Sequence, residues 1–139
     1  MIEIIAGEKG KGKTKELLAK VNHSVATASG NIVYLDKSQK HMYELNNKVR
    51  LINVMDYPID NCDEFLGFLC GIVSQDHDLE QMYLDSFLKI AKLEDTDISD
   101  TITRLDAIGD KYHITFVLSI SLDEAELPEN AKEKVIVSL

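Results

Sequence analysis

The segment Gly7-Glu8-Lys9-Gly10-Lys11-Gly12-Lys13-Thr14 meets the pattern G-x-x-x-x-G-K-[ST] at every fixed position. Its flanks constrain the fold as strongly as the motif does. Met1-Ile2-Glu3-Ile4-Ile5-Ala6 precedes it, a β-branched apolar run that reads as a buried strand. The stretch from Thr14 to Val21 follows it, with Leu17, Leu18, Val21 and Val25 on one helical face. A strand, a glycine loop and a helix in that order form a cradle for phosphate. Glycines at 7, 10 and 12 let the backbone bend tightly and approach a ligand closely. Successive N–H groups then point into one concavity, above the positive end of the helix dipole. Lys13 is expected to reach the β- and γ-phosphates of a nucleotide, and the Thr14 hydroxyl to ligate Mg²⁺. Gly7, Glu8, Lys9, Gly10, Lys11, Gly12, Lys13 and Thr14 are therefore the expected nucleotide-binding residues, with the Lys9 and Lys11 side chains either on the ligand or in solvent. A surface turn rich in lysine and glycine is the alternative. It leaves the Lys13-Thr14 pair unexplained.

The rest of the chain alternates strand and helix signals. The first helix is expected to end near Gly30, a natural residue for the position after a helix C-terminus. Asn31 to Asp36 is an apolar run closed by an acid, a second strand, and Lys37 to Asn47 suits a turn or short helix. Val49 to Val54 reads as a third strand. Asn61 and Glu64 stand at capping-box spacing before Phe65, Leu66, Leu69, Ile72 and Val73, which recur at helical period. Gln81 to Asp85 is a fourth strand, again ending in an acid. Ser99 to Asp110 carries a further helix with Gly109 near its end; Ile114 to Ile120 is a fifth strand, and Lys134 to Ser138 a sixth at the sheet edge. Alternation of this kind predicts an α/β three-layer sandwich, with a mostly parallel sheet of five or six strands covered on both faces.

The 139 residues suit a single domain spanning 1–139, and two prolines with no low-complexity stretch give no sign of a linker. A net charge of −9 disfavours nucleic acid as a partner, because such proteins usually present a basic face. The clearest basic cluster lies inside the glycine loop, and the only arginines are Arg50 and Arg104. No apolar run approaches a membrane span, and the first residues enter a strand at once, leaving no room for a signal peptide. A cytoplasmic protein is expected. Cys62 and Cys70 fall in one predicted helix, about 12 Å apart along its axis, too far to bridge. Both are expected to be reduced core thiols. The four histidines show no triad or metal spacing.

A phosphate-bound Mg²⁺ usually takes a carboxylate at the end of a hydrophobic strand besides the loop hydroxyl. Asp85, after Met82-Tyr83-Leu84, is the first candidate, and Asp36, after Ile32-Val33-Tyr34-Leu35, the second. Here Leu84-Asp85-Ser86-Phe87-Leu88 resembles the Walker B segment of RecA-like ATPases, where a hydrophobic strand ends in Asp-Ser. Tyr34-Leu35-Asp36 resembles the second strand of that fold, and Phe116-Val117-Leu118-Ser119 its following core strand. The likeness covers roughly residues 1 to 121 and extends to small bacterial ATP-binding proteins built of little more than this core. It implies a P-loop NTPase fold with ATP and Mg²⁺ as ligands. It does not extend to the water-activating glutamate: Lys37, Ser38 and Gln39 follow Asp36, and Ser86 follows Asp85. The sensor glutamine of the fifth strand has no counterpart in Ser119-Ile120-Ser121. The expectation is therefore Mg²⁺-ATP binding with weak or partner-dependent hydrolysis, in a switch or assembly subunit that associates with copies of itself or a larger protein. The alternatives are a small-molecule kinase, for which two arginines are few, and an interaction module retaining a relic loop. No Asn-Lys-x-Asp motif favours guanine.

Overall fold

In a computed structural model describing residues 1–139, the chain forms six strands and five helices. β1 is Ile2–Ala6, α1 Lys13–Val25, β2 Asn31–Asp36 and β3 Val49–Asn53. They are followed by α2 at Cys62–Gln75, β4 at Leu79–Leu84, α3 at Phe87–Ile90 and α4 at Ser99–Tyr112. β5 at Thr115–Ile120, α5 at Glu129–Lys132 and β6 at Val135–Ser138 complete the chain. Every strand pair is parallel, in the order β3-β2-β4-β5-β1-β6. Parallel neighbours need crossover connections, which carry the helices onto the two faces. No helix is long and apolar enough to cross a membrane.

Strand alternation divides the core. Val33 and Leu35 of β2, Met82 and Leu84 of β4, and Phe116, Leu118 and Ile120 of β5 face a large cluster. α2 adds Phe65, Leu66, Leu69 and Val73 to it, and α4 adds Ile102 and Leu105. The opposite set, Ile32, Tyr34, Tyr83 and Val117, packs with Leu17, Leu18 and Val21 of α1. Each such fully buried aliphatic side chain contributes roughly 1.5–3 kcal/mol. α1 is the helix on this second face, with Ala28 and Leu45 packed beside it, and its first turn lies at the carboxyl end of the sheet.

The structure corrects several expectations. α1 stops at Val25, five residues short of Gly30. Gly30 instead enters β2 where the chain crowds Asp78: a Cβ there would fall on the Asp78 carbonyl oxygen. Gly109 lies in the last turn of α4, as expected. His113 closes that helix in the left-handed conformation (φ 58°), while Gly109 makes room for the Ile114 carbonyl, 2.7 Å from where a Cβ would be. Asn61 caps α2 as its spacing predicts, accepting from the Glu64 amide at 2.9 Å. The return bond from Glu64 reaches the Asp60 amide, one residue early, at 2.7 Å. Cys70 is exposed and is not a core thiol, whereas Cys62 is half-buried and packs against the large cluster. The four-residue α3 follows Asp85 in a stretch with no helical period to reveal it.

Candidate functional site

The geometry at the carboxyl end of the sheet follows from strand parity. Tyr34 and Tyr83 face α1, so Asp36 and Asp85, two residues further along each chain, face α1 too. Register sets Leu35 beside Leu84 and Leu84 beside Leu118, which brings Asp36, Asp85 and Ser119 to neighbouring strand ends. Thr14, in the first turn of α1, stands over them.

Asp85 is the hub. It is 2% exposed and accepts four hydrogen bonds. Its Oδ1 takes the Thr14 hydroxyl at 3.2 Å, the Ser119 hydroxyl at 2.7 Å and the Ser86 amide at 2.8 Å. Its Oδ2 takes the Tyr34 hydroxyl at 2.7 Å. Burial, reinforced by the Asp85 carboxylate, holds the Tyr34 proton on its oxygen well beyond the usual tyrosine range. Tyr34 is thus a fixed donor. The Ser119 hydroxyl also accepts from the Ser86 amide at 2.9 Å, tying β5 to the turn after β4.

The loop between β1 and α1 takes the shape its glycines allow. Gly10 and Gly12 have φ of 85° and 95°, a region side-chain-bearing residues avoid. The Gly7 amide donates to the Leu122 carbonyl at 2.9 Å and the Lys11 amide to that of Glu8 at 3.3 Å. The amides of Lys9, Gly10, Gly12, Lys13 and Thr14 donate to no protein group. The Lys13 ammonium folds back to donate to the Glu8 carbonyl at 3.0 Å. Burial lowers the pKa of Lys13, and the Asp85 carboxylate opposes that shift.

These parts surround a cavity of about 480 Å³. Lys9, Gly10, Gly12, Lys13, Thr14 and Asp85 line it. Gly7, Glu8 and Lys11 do not: Gly7 is buried against the chain after β5, and Lys11 faces solvent. Asp36 does not line the cavity either. The remaining lining comes from Lys37, from Ser119, Ser121 and Leu122 and from the segment after β4, including Lys89, Glu94 and Asp95. Sequence reading gave none of these a role in the site. Ser86, Lys92 and Asp95 in that segment adopt φ between 53° and 61° without being glycine, each at a cost of about 1 kcal/mol. Such strain is characteristic of functional walls. Arg50 lines a separate cleft of about 210 Å³ beside Tyr57 and Phe68, and Arg104 pairs with Asp63 at 2.8 Å.

Asp36 is the anomaly. It is 2% exposed, its Oδ1 accepts the Lys37 amide at 2.7 Å, and its Oδ2 has no partner. Burial raises its pKa, the Asp85 carboxylate raises it further, and the Lys37 amide bond opposes both. The consequence for stability has a definite sign. Below the ordinary aspartate range folded and unfolded chains are both protonated and Asp36 costs nothing. As pH rises the unfolded chain releases its proton first, so stability falls until the folded group ionises. Asp36→Asn keeps the acceptor for Lys37 and removes the charge. It should raise the melting temperature at pH 7 by about 3 °C, for about 1 kcal/mol, with the gain vanishing near about pH 3.5. Paired melting curves at the two pH values check this; an equal shift at both would contradict it.

Fold and site together define an α/β protein with a six-stranded parallel sheet, compatible with a P-loop NTPase-like core. Compared with known proteins, the chain matches no protein-family model, and no curated protein matches it.

Proposed function

We propose that the chain binds Mg²⁺-ATP as a minimal P-loop domain of the RecA-like kind. One observation carries the reading: the Thr14 hydroxyl meets the Asp85 carboxylate at 3.2 Å, beside a glycine loop in which the amides of Lys9, Gly10, Gly12, Lys13 and Thr14 have no protein partner. A core has no need of a lysine and a threonine held there.

The donor set fits the metal. Mg²⁺ prefers hard oxygen ligands, and neighbouring ligands in its octahedron stand about 3 Å apart. Thr14 and Asp85 offer two oxygens at that spacing, and no cluster of three or more His, Cys, Asp or Glu side chains competes elsewhere. Thr14 and Asp85 would hold the ion, directly or through water, which would neutralise charge on the phosphates when bound. Tyr34 and Ser119 fix the carboxylate by donating to its two oxygens. The loop amides bind phosphate oxygens, and Lys13 releases Glu8 to reach the β- and γ-phosphates.

Hydrolysis is slow or depends on a partner in this reading. Ser86 and Lys37 occupy the positions next to the two strand-end acids, where a water-activating glutamate would be expected from the resemblance. A cradle that holds ATP longer than it turns it over suits a switch or an assembly subunit. Thermal unfolding tests the proposal. Mg²⁺-ATP at a hundred times its dissociation constant should stabilise the fold by about 2.7 kcal/mol, AMP should not, and EDTA should reduce the shift. No shift at millimolar ATP would refute it.

A further inference from the structure

We infer that Lys37 and Lys89 form a second cationic wall that reads the terminal phosphate and makes the site selective for a nucleoside triphosphate over a diphosphate. The inference rests on the nucleotide reading above and names its substrate class. It begins from an uneven distribution of charge. The chain has 24 acidic and 15 basic residues, yet Lys9, Lys13, Lys37 and Lys89 all line one cavity.

Topology places these four in two groups. Lys9 lies in the loop after β1 and Lys13 is the first residue of α1. Lys37 follows β2 and Lys89 follows β4, and β5 separates both strands from β1. Phosphates lying on the loop are thus approached by charge from the far side as well. Neither Lys37 nor Lys89 is spent elsewhere: no ion pair in the structure involves either. Their nearest backbone is held. Phe87 and Ile90 of α3 are fully buried and anchor Lys89 between them, and left-handed Ser86 and Lys92 bracket the short helix. The Lys37 amide is fixed by Asp36 at 2.7 Å.

Glu94 and Asp95 line the same cavity and pair with no lysine. They repel an added phosphoryl group, so its admission depends on Lys37 and Lys89. A diphosphate held by the loop and Lys13 needs neither.

Titration calorimetry with Mg²⁺-ATP, Mg²⁺-ADP and inorganic tripolyphosphate tests this on the wild type, Lys37→Gln, Lys89→Gln and the double variant. Both lysines are exposed, so the variants should fold, with circular dichroism as the check. The wild type should prefer ATP to ADP. The double variant should lose on the order of tenfold in affinity for ATP and tripolyphosphate and less than about threefold for ADP, the scale of a charge-assisted bond. Lys89→Arg should retain the preference. Equal losses for ATP and ADP, no loss for either, or a wild type without preference would overturn the inference and leave the nucleotide reading intact. A wild type that binds none of the three would sink both.

Discussion

Lys13→Ala should lower the affinity for Mg²⁺-ATP by about a hundredfold, roughly the worth of two charge-assisted hydrogen bonds to phosphate, while leaving the free protein's melting temperature nearly unchanged. The two halves of this result have one cause. Lys13 is 8% exposed, and its ammonium donates only to the Glu8 carbonyl. Burial lowers its pKa, with the Asp85 carboxylate opposing, so the free protein holds this charge at a cost. Truncation removes the cost along with one hydrogen bond, and the two offset each other. With phosphate bound the same ammonium gains anionic partners, and truncation loses them outright. Melting curves without ligand and titrations with it separate the two. A large loss of stability without ligand would mean that Lys13 serves the fold.

Asp85 should behave in the opposite way. Asp85→Ala strands the Thr14, Ser119 and Tyr34 hydroxyls without their shared acceptor, while the Ser86 amide keeps only the Ser119 hydroxyl. Unsatisfied buried donors cost about 1–3 kcal/mol each where water cannot reach them. With Thr14 and Ser86 near the cavity, a net loss of about 3 kcal/mol is expected, or about 10 °C in melting temperature. Asp85→Asn keeps one oxygen acceptor and the shape while removing the charge. It should lose less stability, and nucleotide binding should become insensitive to Mg²⁺. Melting curves of both variants, with binding measured in Mg²⁺ and in EDTA, check the pair. Undiminished Mg²⁺ dependence in Asp85→Asn would remove Asp85 from the metal's neighbourhood.

The sequence made the strands and the loop legible because their signals are local. β2 runs from Asn31 to Asp36, as the apolar run and its closing acid indicate; β4 starts at Leu79, two residues before the expected Gln81, and stops at Leu84, so that Asp85 directly follows the strand rather than ending it. What escaped is what depends on register between distant segments. Tyr34 reads as an ordinary core aromatic until β2 and β4 are aligned and its hydroxyl meets Asp85. Parity could place Tyr34, Asp36, Asp85 and Ser119 on faces of their own strands, but strand order is needed to put those faces together. Lys37 and Lys89 carry no motif and reach the cavity only through the turns after two non-consecutive strands. α3 has four residues, too few for a period. Gly30 misled because glycine serves close approach as well as helix ends.

The expectation that the Gly7–Thr14 loop holds a magnesium nucleotide is tested most directly by one paired measurement: calorimetric titration of Mg²⁺-ATP into the wild type and Lys13→Ala under the same conditions. Saturable binding of one nucleotide per chain by the wild type, abolished or reduced about a hundredfold in the variant, is the predicted result. No heat of binding for the wild type at millimolar ATP, or the same isotherm for both proteins, would contradict it.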